Sequence, residues 1–198
     1  MDDILIRKAT EKDRFVVTDL FVRGFWDDFS KVRRTVEQIV KTLENGICLE
    51  RVYVAVEAGE AIGVISCSDC SGRAIQIDMT ACRRNLGLVT GTIAGHILAA
   101  EYEKPLRYPP STGYFDFIAV TEKVRRKGIA TRMMRTVMDQ TDYEEYMLDV
   151  TSINEVAQRL YRKFGFVEVG RIKVRMSRQK GFREKVVMKY VKKTDHSL

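Results

Sequence analysis

The feature that most narrows the folds open to this chain is a strand that runs into a basic turn and re-emerges as a helix through a glycine. Tyr114 to Val120 reads as a strand, and Val124-Arg125-Arg126-Lys127-Gly128-Ile129-Ala130-Thr131 as the turn. Ile129 to Gln140 then sets Ile129, Met133, Met134 and Val137 on one helical face. The first N–H groups of a helix have no intrahelical partner and carry partial positive charge. Phosphate binds such an end when it can approach the backbone, and Gly128 and Ala130 add no bulk. Arg125, Arg126 and Lys127 supply cationic donors. The loop alone also fits a solvated basic turn. It is neither a Walker A loop, which ends in Gly-Lys-Ser/Thr, nor the three-glycine dinucleotide fingerprint.

A second patterned stretch follows, Asn154-Glu155-Val156-Ala157-Gln158-Arg159-Leu160-Tyr161-Arg162-Lys163-Phe164-Gly165-Phe166. Helical periodicity puts 154, 157, 158 and 161 on one face. It puts the apolar Val156, Leu160 and Phe164 on the opposite stripe, which is expected in the core. Gly165 ends the helix and Phe166 begins a strand. Spacing alone makes Tyr161 a half-buried surface tyrosine.

The remaining elements are coarser. Ile4 to Arg7 reads as a strand. Thr10 and Asp13 form a near capping box ahead of a helix to about Arg23. A second helix spans Thr35 to about Asn45. Arg51 to Glu57 and Ala61 to Cys67 make a hairpin around Ala58-Gly59-Glu60. Thr80 to Glu103 is helical in tendency, and Pro105, Pro109 and Pro110 force a loop after it. Tyr146 to Val150, Phe166 to Val174 and Lys185 to Val191 are strands. The expected fold is α/β: one mixed sheet of about seven strands flanked by helices on both faces, in a single domain over residues 1–198.

The two motifs together resemble the GNAT superfamily of N-acetyltransferases. Arg125-Arg126-Lys127-Gly128-Ile129-Ala130 is similar to its Arg/Gln-x-x-Gly-x-Gly/Ala loop, and Phe117-Ile118-Ala119-Val120 to the strand before it. Asn154 to Phe166 is similar to the motif after its next strand. The resemblance implies that acetyl-CoA is the cosubstrate and that a strand backbone at Ile118, Ala119 and Val120 pairs with the pantetheine arm. It implies pyrophosphate contacts from Arg125, Arg126, Lys127, Gly128, Ile129, Ala130 and Thr131, and arm contacts from Asn154, Ala157 and Tyr161. Tyr161 becomes the acid that protonates the leaving sulfur, and the Val120 N–H the oxyanion donor. Residues 69–112 match nothing in the motif set and fall to the acceptor side.

The chemistry has a further need. An amine of ordinary pKa is almost wholly protonated near neutrality, and only its neutral form attacks a thioester. A base is required. Asp116 shares strand parity with Ile118 and Val120, so it is the candidate, alongside a structural reading as a buried carboxylate. Glu101 is a poorer one. No Asp–His–Ser or Cys–His arrangement suggests a covalent intermediate, so transfer is expected to be direct.

Composition bounds the partners. The 198 residues carry 34 Lys plus Arg against 27 Asp plus Glu, a net charge of +7, which suits an anionic ligand. A basic nucleic-acid-binding module and a non-catalytic acyl-CoA sensor are the competing readings, though no helix-turn-helix, RRM or zinc-finger pattern is present. Cys67-Ser-Asp-Cys70 with Cys82 and His96 is too sparse for a zinc site, so no metal is expected. The basic run Arg171 to Lys193 reads as an amphipathic strand pair. Trp26, with Phe25, Phe29 and Asp27, fits an acceptor pocket or the core. No apolar run spans a bilayer and no secretory leader is evident, so a cytoplasmic location with no membrane partner is expected. The acceptor is an amine of unspecified identity, and a homodimer is compatible with the resemblance.

Overall fold

The structure, a computed structural model, describes residues 4–174 and 181–192. Among the described residues, eight strands form two four-stranded sheets. They are β1 (Leu5–Lys8), β2 (Val52–Glu57), β3 (Glu60–Ser66), β4 (Thr112–Phe115), β5 (Ile118–Val120), β6 (Glu145–Thr151), β7 (Val167–Lys173) and β8 (Glu184–Val191). The first sheet runs β1-β2-β3-β5 and the second β4-β6-β8-β7. The helices are α1 (Arg14–Gly24), α2 (Trp26–Phe29), α3 (Val36–Leu43), α4 (Met79–Leu86), α5 (Leu88–Tyr102), α6 (Ile129–Asp139) and α7 (Glu155–Phe164).

The mixed α/β class is as the sequence implies, but the sheet is divided and has one more strand. The expected single strand Tyr114 to Val120 breaks at Asp116-Phe117. Its first half pairs parallel with β6, Tyr114 opposite Met147. Its second half pairs antiparallel with β3, Ala119 opposite Val64. The cause is a local exchange of partners. Ser66 donates its N–H to the Phe117 carbonyl at 3.0 Å. The Phe117 N–H in turn donates to the Ser66 hydroxyl at 3.1 Å. A side chain thus replaces a rung of the ladder, and the two halves diverge toward different neighbours.

Alternation along the strands feeds two cores. β2 sends Val52 and Val54 into a cluster with α1, α3 and α5, through Phe21, Ile39, Leu43 and Ala94. It sends Tyr53 and Ala55 into another with α6 and the second sheet, through Met133, Met134, Val137, Tyr146 and Leu148. Met138 is buried there too. Phe21 is fully buried and touches the rings of Phe25, Phe29, Tyr102 and Phe117, the last at 4.6 Å. Phe29 is buried and Phe25 and Trp26 pack against this cluster, which favours their core reading. A Cβ on Gly24 would come within 2.5 Å of the Ala119 Cβ, so the end of α1 presses directly on β5.

The expected helix from Thr80 to Glu103 is two helices, interrupted at Gly87. Gly91 and Gly95 let α5 lie flush on α4. Val156, expected in the core, is 70% exposed. The buried residue of α7 is Gln158, whose Nε2 donates to the Thr151 and Ser152 carbonyls at 3.2 and 3.0 Å. That pair of bonds turns the helix so the polar side faces inward at its start. Residues 175–180 and 193 of the expected basic run lie outside the described residues.

Candidate functional site

The site forms where the two sheets part. β5 is the last strand of the first sheet among the described residues, and β6 belongs to the second. Along an antiparallel strand, successive residues present their N–H and C=O groups to opposite edges. Thr121 donates to the Ile62 carbonyl of β3 at 2.9 Å. By alternation Ala119 also faces β3, and Ile118 and Val120 turn their backbone groups to the gap.

Past that edge the chain turns at Glu122–Val124 and enters α6. Arg126 (φ 64°) and Gly128 (φ 78°) both take the left-handed conformation. The first is uncommon for a residue with a side chain, and glycine removes the cost at the second. Nothing lies within 4 Å of the Cβ position of Gly128, so the loop stands open there. Arg125, Arg126 and Lys127 are exposed, and Ile129 anchors the helix in the core at 2% exposure. The N–H groups of Ile129, Ala130 and Thr131 occupy the first turn, where a helix offers no carbonyl to receive them. This end of α6 therefore presents backbone donors, arginines and helix dipole to one open patch.

α7 packs on the same core cluster as α6 and the inner side of β5, with Arg135 over the Phe164 ring. Asn154 caps it, accepting from the Ala157 N–H at 3.0 Å. Tyr161 packs half-buried beside Phe166, ring centroids 5.9 Å apart. Burial, with the Asp149 charge adding to it, holds its phenol well above the ordinary tyrosine range. The hydroxyl stays protonated and able to donate throughout the neutral range.

Asp116 lies at the break itself, with a side chain 2% exposed. Arg73 donates to one carboxylate oxygen at 2.6 Å, and the Ser66 and Ser68 hydroxyls donate to the other. Burial raises its pKa by more than Arg73 lowers it. The parity argument for Asp116 fails because the strand does not continue past it. Both oxygens are already engaged.

A second charged cluster, which the sequence analysis missed apart from Glu101, lies on neighbouring strands. Asp149, in the middle of β6, accepts from the Tyr114 hydroxyl and from Lys185 at 2.7 Å. Lys185, on β8, also reaches Glu101 near the end of α5. Burial works to lower the Lys185 pKa, but the Asp149 and Glu101 carboxylates outweigh it and the ammonium lies above its ordinary value. Tyr108 stacks on Tyr114 at 6.1 Å, and Leu106 joins Tyr114, Met147 and Val187 in a small apolar cluster. The available signal was an aspartate among strand residues, Met147-Leu148-Asp149-Val150, on the parity opposite the apolar core.

Elsewhere, Cys67 and Cys82 are buried free thiols, Cys70 is exposed, and His96 lies on the exposed side of α5. Burial pushes the Cys67 thiol up to about 12. No helix among the described residues is long and apolar enough to cross a membrane.

An unpaired strand edge thus leads into a glycine-hinged, basic helix start, and the comparisons with known proteins bear on the fold around it. Residues 79–166 match the model of the acetyltransferase (GNAT) family. No curated protein sequence matches the chain. Among solved structures it is similar to an N-acetyltransferase from Staphylococcus aureus Mu50, with 20% identity and a TM-score of 0.63 over 94% of this chain and 100% of that one. It is similar to the ribosomal-protein-S18-alanine N-acetyltransferase from Escherichia coli, with 13% identity and a TM-score of 0.57 over 98% of each. It is also similar to a chain of the NatC complex bound to Gag peptide and CoA, with 16% identity and a TM-score of 0.59 over 96% of this chain and 99% of that one. At these identities the likeness is one of fold.

Proposed function

We propose that this protein moves the acetyl group of acetyl-CoA directly to an amine. The observation that carries the reading is the continuous path from the open edge of β5 to the open helix start at Gly128. Ile118 and Val120 offer the backbone pattern that an amide-bearing pantetheine arm needs, as an added strand would. The amides of Ile129, Ala130 and Thr131, with Arg125, Arg126 and Lys127, offer the donors that a pyrophosphate needs. Asn154 and Ala157 lie on the helix facing the arm.

The residues then divide the work. The amine, once neutral, attacks the thioester carbonyl, and the carbon–nitrogen bond forms as the oxyanion develops at the Val120 N–H. The tetrahedral centre collapses and the carbon–sulfur bond breaks. Tyr161 gives its proton to the departing sulfur. Asp116, held by Arg73 and two serines, and Asp149, held by Tyr114 and Lys185, are both engaged, and we assign the amine's proton to Asp149 for its link to Tyr161, directly or through water. Asp149 is a carboxylate whose charge reaches Tyr161, and Lys185 joins it to Glu101 at the end of α5.

Calorimetric titration of acetyl-CoA into wild type and Gly128→Asp tests the reading. The variant puts bulk and negative charge where the pyrophosphate belongs. The expected result is micromolar binding by wild type and a loss of about 100-fold or more in the variant, roughly 3 kcal/mol. No binding by folded wild type sinks the proposal. Equal affinity in the variant moves the cofactor away from this loop.

A further inference from the structure

We infer, resting on the acetyl-transfer reading, that the acceptor is the free N-terminus of a polypeptide whose first apolar residues lie across the outer face of β8 and β7. Residues opposite each other in an antiparallel pair share a face. Asp149 stands opposite Val187, and Val187 opposite Gly170. Lys185 stands opposite Ile172, and Lys189 opposite Val167. By strand alternation Val191 joins Lys185, Val187 and Lys189. Asp149 and Lys185 therefore share one surface with Val167, Ile172 and Val191.

The pattern of β7 on that surface is inverted. A sheet with one wet face turns its apolar residues to the core and its polar ones to water. β7 does the reverse. Glu168 is on the side of α7, where it meets Arg162 at 3.7 Å, and it binds Arg171 on that same side at 2.7 Å. Val167 and Ile172 are on the other side and are 59% and 47% exposed, with Val191 at 60%. Leu106 and Tyr108 cover the neighbouring Tyr114, Met147 and Val187. An apolar strip thus continues outward from the acceptor cluster into water.

Charge, length and proton chemistry select the occupant. Lys185 meets two carboxylates, Asp149 and Glu101, so the three together carry one negative charge and favour an ammonium at that end. Neighbouring strands lie about 4.8 Å apart, so the two steps from Asp149 to β7 span roughly 10 Å, which an extended peptide covers in about three residues. A small amine ends before it reaches the exposed side chains. An α-amine titrates near 8 and a lysine near 10.4, so at pH 7.5 roughly a third of the first is neutral and about one part in a thousand of the second. Asp149 is engaged by Tyr114 and Lys185, and Asp116 by Arg73 and two serines. Such a site suits an amine that needs little help in losing its proton. A lysine acceptor would also hold its backbone a side chain's length off the sheet.

The test measures CoA release from acetyl-CoA with four amines. They are the hexapeptide Ala-Val-Val-Ile-Gly-Ser, its N-formyl form with a lysine added at the C-terminus, alaninamide and spermidine. The free peptide is expected to exceed each of the others in kcat/KM by about 100-fold. Ile172→Glu should raise the KM of the peptide about 10-fold more than that of alaninamide. If that variant does not fold, Val167→Glu repeats the measurement. A free peptide no better than alaninamide overturns the inference, as does a blocked lysine peptide or spermidine that outruns it. Acetyl transfer to an amine survives those results, because an amine is still consumed. A folded variant that keeps the wild-type preference for the peptide overturns the inference too. Release with none of the four fails this inference together with the reading beneath it.

Discussion

The two sides of the gap between the sheets are built from different materials. On the proposed reading the cofactor side is backbone: the outer edge of β5, the hinge at Gly128 and the first amides of α6. The acceptor side on that reading is charged side chains, Glu101, Lys185 and Asp149, held by α5, β8 and β6. A backbone site tolerates many side chains provided the turn survives. A side-chain site depends on each group, because removing one partner leaves another buried and unpaired. One scaffold can therefore keep a fixed donor and change its acceptor.

Substitutions can break or sharpen that contrast. The largest effect is expected at the junction of the two sides. Arg73→Met strips the buried Asp116 carboxylate of its cation and should cost about 3–5 kcal/mol of stability. Denaturant unfolding measures it, and a loss under 1 kcal/mol would mean that the serines alone hold Asp116. Next, Tyr161→Phe should lower kcat about 100-fold, roughly 2.7 kcal/mol, with acetyl-CoA affinity within about three-fold of wild type. Because burial raises the Tyr161 pKa, the acid stays protonated as pH rises through its ordinary value near 10. The wild-type rate should therefore show no alkaline fall from this group below that pH. Equal turnover in the mutant removes Tyr161 as the acid. Asp149→Asn should lower kcat/KM for the amine about 10-fold while leaving acetyl-CoA binding alone, a split that a wholly backbone site would not show. Smallest is Asp13→Ala. Asp13 accepts from the Thr10 N–H at 2.7 Å and pairs with Arg7, which is first among the causes holding its carboxyl below the usual range. The loss should be about 1 kcal/mol. With a depressed folded pKa, that contribution is present above about pH 4 and fades as pH falls below it. A variant as stable at pH 7 as wild type would refute the capping role.

The same division explains what could be read from the sequence. The turn Val124 to Thr131 and the stop at Gly165 are local chemistry, set by glycine and by helical period, and both are legible within a dozen residues. The split of the strand at Asp116 is not, because its cause is Ser66, fifty positions away in the chain. Val156 and Gln158 exchanged places for a similar reason: two carbonyls at the end of β6 outrank the apolar periodicity of α7. The α5 segment gave no period to follow, being apolar on all sides. Asp149 gained significance only when β8 brought Lys185 beside it.

The open edge of β5 has a consequence for the lifetime of the protein. A strand whose outer edge pairs with no other strand among the described residues is an incomplete structure, and on the proposed reading acetyl-CoA completes it. A molecule that binds only the folded chain stabilises it by an amount that grows with the ligand's concentration. Survival against proteolysis would then follow the supply of acetyl donor, with the enzyme persisting in well-fed cells and thinning out in starved ones.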